Sequence, residues 1–333
     1  MTTVLVTGGA GYIGSHAVLA LRDAGFEVVV LDNLSAGFRE AVPEGVPLVE
    51  GSVRDTALVT DALRRHGATA VLHFAGSLVV PESLEQPLLY WENNLGGTLS
   101  VLRACEAAGV GQLVFSSTAA VYGMPDSGLV DEDVPPCPIN PYGASKAAAE
   151  RLVADAAGPL ALRSVVLRYF NVAGADPAGR AGQRTARATH LLKVACEVAV
   201  GQRAEVQVFG TDYATPDGTG VRDFIHVSDL AEAHVAALRH LQRGGDSLLL
   251  NCGYGTGHSV LEVLRAVERV SGRALPVRNL ARRAGDAPAL VARAERIRTL
   301  LGWQPRLEGL DGIVSSALAW ERRMQAERLE NVA

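Results

Sequence analysis

The first thirty-two residues constrain the fold of this chain more tightly than any other segment. Thr3-Val4-Leu5-Val6-Thr7 is a short β-prone run ending at glycines, Tyr12 to Ala24 has helical spacing, and Val28-Val29-Val30-Leu31 is a second apolar strand. That order predicts a βαβ unit with parallel strands. Between strand and helix stands Gly8-Gly9-Ala10-Gly11-Tyr12-Ile13-Gly14, with Gly8, Gly11 and Gly14 in a G-x-x-G-x-x-G spacing. Without Cβ atoms such residues permit a tight turn and let a pyrophosphate approach the amides of a helix N-terminus, where the macrodipole favours an anion. Asp32 closes the second strand 18 residues after Gly14, near the interval of about 20 at which an acid bonds the adenosine ribose. A carboxylate there repels a 2′-phosphate, so the pattern predicts NAD rather than NADP.

The alternation continues. Pro47 to Glu50 reads as a strand, Asp55 to Arg65 as a helix, Ala70 to Phe74 as a strand, Leu95 to Ala108 as a helix, and Leu113 to Ser116 and Ala161 to Arg168 as two further strands. Strands apolar throughout require cover on both faces, so the expected fold is α/β, a Rossmann-type doubly wound parallel sheet. From about Ala175 the chain turns rich in Gly, Pro, Asp and Thr, and a smaller α/β substrate-binding lobe is expected there. Phe224 to Val227 and the helical Asp229 to Leu241 read as one more βα unit. The division is therefore expected to be discontinuous: 1–176 plus about 221–243 in the NAD-binding lobe, and 177–220 plus about 244–333 in the other.

With 31 basic and 36 acidic residues the net charge is −5, which gives no general attraction to nucleic acid or an anionic membrane. A phosphate ligand must be held locally. The four cysteines, Cys105, Cys137, Cys196 and Cys252, form neither a C-x-x-C pair nor a zinc spacing, and no H-E-x-x-H pair occurs. No metal is expected. No apolar run reaches the ~18 residues of a membrane span, and a cytoplasmic location is expected.

Tyr142-Gly143-Ala144-Ser145-Lys146 sets a phenol and an ammonium four residues apart, on one face of a helix start. Upstream, Ser116-Ser117-Thr118 ends the fifth strand at the carboxyl edge, where an open parallel sheet receives ligands. A phenol of ordinary pKa, ~10, is about 0.1% ionised at neutral pH, so a basic Tyr142 needs a depression of roughly three units. Lys146 and an oxidised nicotinamide would supply it, with Thr118 holding or relaying the substrate proton.

On Gly8, Gly11, Gly14, Asp32, Ser116-Ser117-Thr118 and the Tyr142-x-x-x-Lys146 pair, the chain resembles the extended short-chain dehydrogenase/reductase family. Within that family it is similar to the UDP-sugar 4-epimerases, through His73-Phe74-Ala75-Gly76, Asn93-Asn94-Leu95-Gly96-Gly97-Thr98, Val121-Tyr122-Gly123, Arg168-Tyr169-Phe170-Asn171, Gly218 to Asp223 and Arg282-Arg283-x-Gly285-Asp286. The resemblance implies reversible C4 epimerisation of UDP-glucose and UDP-galactose by transient hydride transfer to tightly bound NAD. Tyr142 would take the 4-hydroxyl proton, and the 4-keto sugar would turn over in the pocket. It further implies a cofactor site completed by Tyr12, Ile13, Asn33, Ser52, Val53, Phe74, Ala75, Gly76, Asn93, Ser116 and Tyr169. Asn171 and the backbone around Leu191 and Val208-Phe209 would hold diphosphate and uracil with His190 near the diphosphate, Arg222 and Arg283 would clamp the phosphates, and Asp286 the uridine ribose. Guanidinium groups suit this task through bidentate, charge-assisted bonds.

Four positions depart from the family pattern. Ser52 stands for an aspartate that contacts adenine, and Leu78 for a lysine that reaches the cofactor phosphates, so weaker NAD retention is expected. His190 replaces an asparagine and reads equally as a diphosphate donor or a packed loop histidine. Leu290, intermediate in size beside the sugar C2 substituent, leaves UDP-N-acetylhexosamines open; UDP-xylose and UDP-arabinose also stay open. Thr118 is followed by Ala119 and Ala120 rather than the Asp-Glu pair of dehydratases. A non-catalytic dinucleotide sensor would not need Tyr142, Lys146 and Thr118 together. The alanine-rich helices Asn94–Ala108 and Ala144–Ala156 correspond to the family's dimer interface, so a homodimer is expected.

Overall fold

The larger lobe is built on seven parallel strands. The structure, a computed structural model, describes residues 2–185, 188–283 and 285–330. Along the chain come β1 (Thr3–Thr7), α1 (Tyr12–Asp23), β2 (Glu27–Asp32), β3 (Leu48–Glu50), α2 (Thr56–Arg65) and β4 (Ala68–His73). Two short helices, α3 (Val80–Glu85) and α4 (Pro87–Tyr90), lead through a π-helical turn, Trp91–Gly96, into α5 (Gly97–Ala108). Then follow β5 (Gln112–Thr118), β6 (Leu129–Val130), α6 (Pro141–Ala157), β7 (Arg163–Tyr169) and β8 (Asn171–Ala173).

The remaining elements are α7 (Leu191–Ala199), β9 (Val206–Phe209), β10 (Val221–His226), α8 (Val227–Gln242), β11 (Leu248–Cys252), β12 (Gly257–Ser259) and α9 (Val260–Ser271). The chain closes with β13 (Val277–Leu280), β14 (Ala289–Ala292), α10 (Glu295–Leu301) and α11 (Leu310–Glu330).

The main sheet runs β3-β2-β1-β4-β5-β7-β11, and every pairing in it is parallel. Because side chains alternate across a strand, Val4 and Val6 enter the layer under α1 and α8, while Leu5 enters the opposite layer under α2, α5 and α6. Both layers are closed by apolar residues, Leu21, Leu230 and Leu238 on one face and Val59, Leu63, Val101 and Val153 on the other. This is the doubly wound fold expected of the sequence. The order reverses between β1 and β4, and a crevice opens there at the carboxyl ends of the strands.

The smaller lobe has its own sheet, β12-β10-β14-β6, with β8 also paired to β10, and a separate β13-β9 pair. Its core joins α7, α9 and α11 through Leu192, Cys196, Val263, Val267, Ile313 and Val314.

Four strands lie on the other side of the expected division. Leu129–Val130 (β6), Asn171–Ala173 (β8) and Val221–His226 (β10) join the smaller sheet, although the helix after β10, α8, packs on the main sheet. Leu248–Cys252, placed by sequence in the substrate lobe, is β11 at the edge of the main sheet, in register from Leu248 against Val165 to Cys252 against Tyr169. With α8 against the main sheet, the short connection after it brings the next strand to the open edge of β7. The helix expected to begin at Leu95 becomes regular only at Gly97, after the π-helical turn.

Candidate active site

The glycines of the first turn are required by packing. Gly8 has φ +73°, and a Cβ on it would lie 2.6 Å from the Ala75 amide nitrogen. A Cβ on Gly14 would collide with the Gly8 carbonyl oxygen, so only glycine lets α1 start this close to β1. The amides opening α1 lack intrahelical acceptors and face the cleft through Gly11, Tyr12, Ile13 and Gly14. Asp32, at the end of β2, accepts from the Ala10 amide (3.0 Å) and the Leu34 amide (2.9 Å). Burial raises its pKa, and those two amides act against the rise. Asn33, Ser52, Val53, Phe74, Ala75, Gly76 and Asn93 continue the same wall. Free helix amides, a carboxylate at the end of the second strand and an apolar wall form a donor and acceptor set that fits NAD.

Across the crevice, α6 begins at Asn140, whose side chain accepts from the Gly143 amide at 2.8 Å, with Pro141 at its first position. That start projects Tyr142 and Lys146 toward the end of β5. Burial raises the Tyr142 phenol above its ordinary pKa, and the hydroxyl of Thr118 pulls it back only in part. Lys146 lies on the Phe115 ring, 4.5 Å from its centroid. Burial pulls its pKa down to about 8, with Glu150 acting the other way. The depression of the phenol expected from Lys146 and an oxidised nicotinamide together is not found in the chain alone, where burial outweighs the Thr118 hydroxyl. Behind the pair, His73 bridges Thr7 (2.6 Å) and Thr98 (3.3 Å), its pKa lowered to about 3 by burial and by Lys146.

The third wall comes from the smaller lobe. Arg222 leaves β10 opposite Leu290 of β14, and its guanidinium donates to the Val221 carbonyl at 2.8 Å. Burial lowers its pKa, and among the described residues no carboxylate pairs with it. Arg283 is paired with Asp286 (3.0 Å) and stacks on Phe209, 4.6 Å from the ring centroid. His190, exposed just before α7, lies with its Nδ1 2.9 Å from Gln183 Nε2.

One cleft of about 1480 Å³ contains all three walls, with Tyr169, Asn171 and Leu191 also at its surface. That exceeds the ~300–1,000 Å³ of a single small-molecule site and leaves room for a dinucleotide beside a second ligand. One residue assigned from sequence points elsewhere. Ser116 is buried, its hydroxyl 2.9 Å from His234 Nε2. The Val208 side chain turns into the core because β9 alternates, while its neighbour Phe209 meets the cleft. Gln183 and Asn140 were not singled out from sequence. Asn140-Pro141 is a readable cap signal, whereas Gln183 sits in a loop whose spacing carries none.

The sequence profile of the NAD dependent epimerase/dehydratase family matches residues 4–253. The chain is 60% identical over 322 residues to a UDP-glucose 4-epimerase of Azospirillum brasilense, covering 97% of this chain and 92% of that protein. Among solved structures it is similar to the UDP-glucose 4-epimerase of Brucella ovis in complex with NAD, at 44% identity and a TM-score of 0.93, covering 96% of this chain and 98% of that one. It is likewise similar to the Stenotrophomonas maltophila UDP-glucose-4-epimerase with bound NAD and formylated UDP-arabinopyranose, at 40% identity and a TM-score of 0.95, covering 98% and 100%. With the glycine turn, Asp32 and the Thr118, Tyr142 and Lys146 cluster in one crevice, the chain belongs to the NAD dependent epimerase/dehydratase family.

Proposed function

We propose that this chain interconverts UDP-sugars at C4, with UDP-glucose and UDP-galactose as its substrate pair and NAD as its resident cofactor. The observation that carries the reading is the placement of Tyr142 and Thr118 between a dinucleotide cradle and a half-buried Arg222 that lacks a carboxylate partner among the described residues. A partly desolvated cation without a counter-ion favours an anionic ligand, and a diphosphate supplies one. Bound NAD supplies an acceptor that takes hydride from the sugar C4 and returns it, so the carbinol passes through a 4-keto sugar with no net oxidation.

The chain's own residues do the rest. Tyr142 Oη removes and later returns the 4-hydroxyl proton, Thr118 holds that hydroxyl against it, and the Lys146 ammonium stabilises the phenolate. Arg222 and Arg283 clamp the diphosphate and Asp286 takes the ribose, while Asn171, His190 and Leu191 lie along the same arm. Anchoring the nucleotide leaves the hexose free to turn. A UDP-pentose is the second reading, favoured by the arabinopyranose in the Stenotrophomonas neighbour.

The same reading makes the protein a cytoplasmic homodimer. Leu84, Leu88, Trp91 and Leu99 are exposed apolar residues on the segments before and within α5, and all four cysteines are unpaired. Among the described residues no helix is long and apolar enough to cross a membrane. Incubation with NAD and UDP-galactose, UDP-arabinose or UDP-N-acetylgalactosamine, followed by chromatographic resolution of the products, tests the assignment. UDP-glucose from UDP-galactose is expected; NAD-loaded protein that converts none of the three overturns it.

A further inference from the structure

Ser117 and Glu150 lie behind the reacting groups, outside the residues that line the cleft. Both are buried. The Glu150 carboxylate accepts from Arg168 Nη2 (2.6 Å), from Arg168 Nε (3.0 and 3.2 Å) and from the Ser117 hydroxyl. One carboxylate thereby joins α6, β5 and β7. Glu150 follows Lys146 by one helical turn and Tyr142 by two, so the three share a helix face. Ser117 immediately precedes Thr118 on β5. The two halves of the proton-transfer pair, phenol and threonine hydroxyl, arrive on different elements, and this carboxylate is bonded to both.

Stability alone is a weak reason for such a device. A buried ion pair costs several kcal/mol per ion in desolvation, and apolar residues of the same volume are often as stable. Here Arg168 Nη1 is left without a partner while the guanidinium rests on the Tyr122 ring, 4.8 Å from its centroid. We propose that Glu150, acting through Ser117, sets the spacing between Thr118 on β5 and Tyr142 with Lys146 on α6, so that Glu150 and Ser117 are positioning residues for proton transfer. The inference rests on the 4-epimerase reading above.

An electrostatic consequence supports the geometry. The titratable and charged groups around the Tyr142–Lys146 pair are Glu150 on α6, His73 on β4, Tyr90 on α4 and Tyr169 on β7, with Arg168 behind Glu150 and Glu82 bonded to Tyr90. Of these, Glu150 is the one that holds the Lys146 pKa up.

Steady-state kinetics with NAD and UDP-galactose across pH test the role on wild type, Ser117→Ala, Ser117→Thr and the double variant Glu150→Gln/Arg168→Met. Ser117→Ala removes one hydroxyl and keeps the ion pair. Its kcat is expected to fall about tenfold to a hundredfold, the scale of sub-ångström to ångström misplacement, with Ser117→Thr restoring most of it. The KM for UDP-galactose should stay within about twofold, because the nucleotide arm is untouched. The double variant removes both charges and leaves neither ion unpaired, so it is expected to fold, which thermal unfolding checks. In it the pH at which kcat stops rising is expected to move down by roughly half a unit or more, since Lys146 loses the charge that supports it. A Ser117→Ala enzyme with wild-type kcat, or an unmoved break in a folded double variant, overturns the positioning role alone. A wild type that makes no UDP-glucose overturns the epimerase reading and this role with it.

Discussion

Tyr142 and Lys146 pull against each other in a way that fixes how the reaction responds to pH. Burial holds the phenol above its ordinary pKa, so raising the pH recruits phenolate; burial also brings the Lys146 ammonium down to about 8, so raising the pH further removes the cation that steadies it. The rate is expected to rise through neutrality and to level off above pH ~8, where each further gain in phenolate is matched by a loss of ammonium. Tyr142→Phe should lower kcat by about 10²- to 10⁴-fold, the usual contribution of a general base, while UDP binding measured by calorimetry is unchanged. A variant that retained wild-type kcat would remove Tyr142 from the mechanism. These two residues were legible in the sequence because a four-residue spacing on a helix start fixes their shared face. Ser116 was not: which way a strand residue points depends on the partner strand and the layer beneath it. His234 claims the Ser116 hydroxyl from a helix more than a hundred residues away in sequence.

At the scale of elements, the first turn owes its shape to contacts that a Cβ would prevent. Gly14→Ala drives a methyl into the Gly8 carbonyl oxygen, and the obstacle is backbone rather than the end of a flexible side chain. The expected result is a loss of about 1–3 kcal/mol in urea unfolding, together with release of NAD, because the displaced helix start carries the phosphate-facing amides. Gly109→Ala serves as a control: its positive φ of +69° makes alanine strained there, but among the described residues nothing lies within 4 Å of its Cβ, so it costs stability while NAD retention should be unaffected. Equal NAD loss in both variants would show that the turn is not the constraint. The order of the main-sheet strands was readable through β7, since each carries an apolar run. The two-residue β6 and three-residue β8 are too short to carry a pattern, and at β10 and β11 only the packing of α8 decides which sheet receives which strand.

For the molecule as a whole, the ligand cleft spans both lobes, so NAD binding is coupled to folding. With Ser52 and Leu78 in place of an acid and a cation of the family pattern, protein stripped of cofactor is expected to gain several degrees in Tm on addition of NAD, as mass action requires for a ligand that binds only the folded state. A flat response in stripped protein would exclude a resident dinucleotide. Acid acts on the same fold through its interior. His16, His73, His226 and His234 are buried, His16 and His226 near each other and Asp176, and desolvation is the main cause that lowers their pKa values to about 4, 3, 4 and 4. In the unfolded chain each has the ordinary value of about 6.5, so between these limits the unfolded state binds more protons. The stability held by neutral burial is thus complete above pH ~6.5 and is lost progressively as the pH falls toward 4. Tm is expected to be level between pH 7 and 8 and to drop steeply from 6 to 4.5, with His73→Asn flattening part of the slope. His73 is the informative site because its two threonine partners, Thr7 and Thr98, tie β1 and α5 directly beneath the reacting pair. A Tm that stayed constant down to pH 4.5 would mean that these imidazoles are not held neutral by the core.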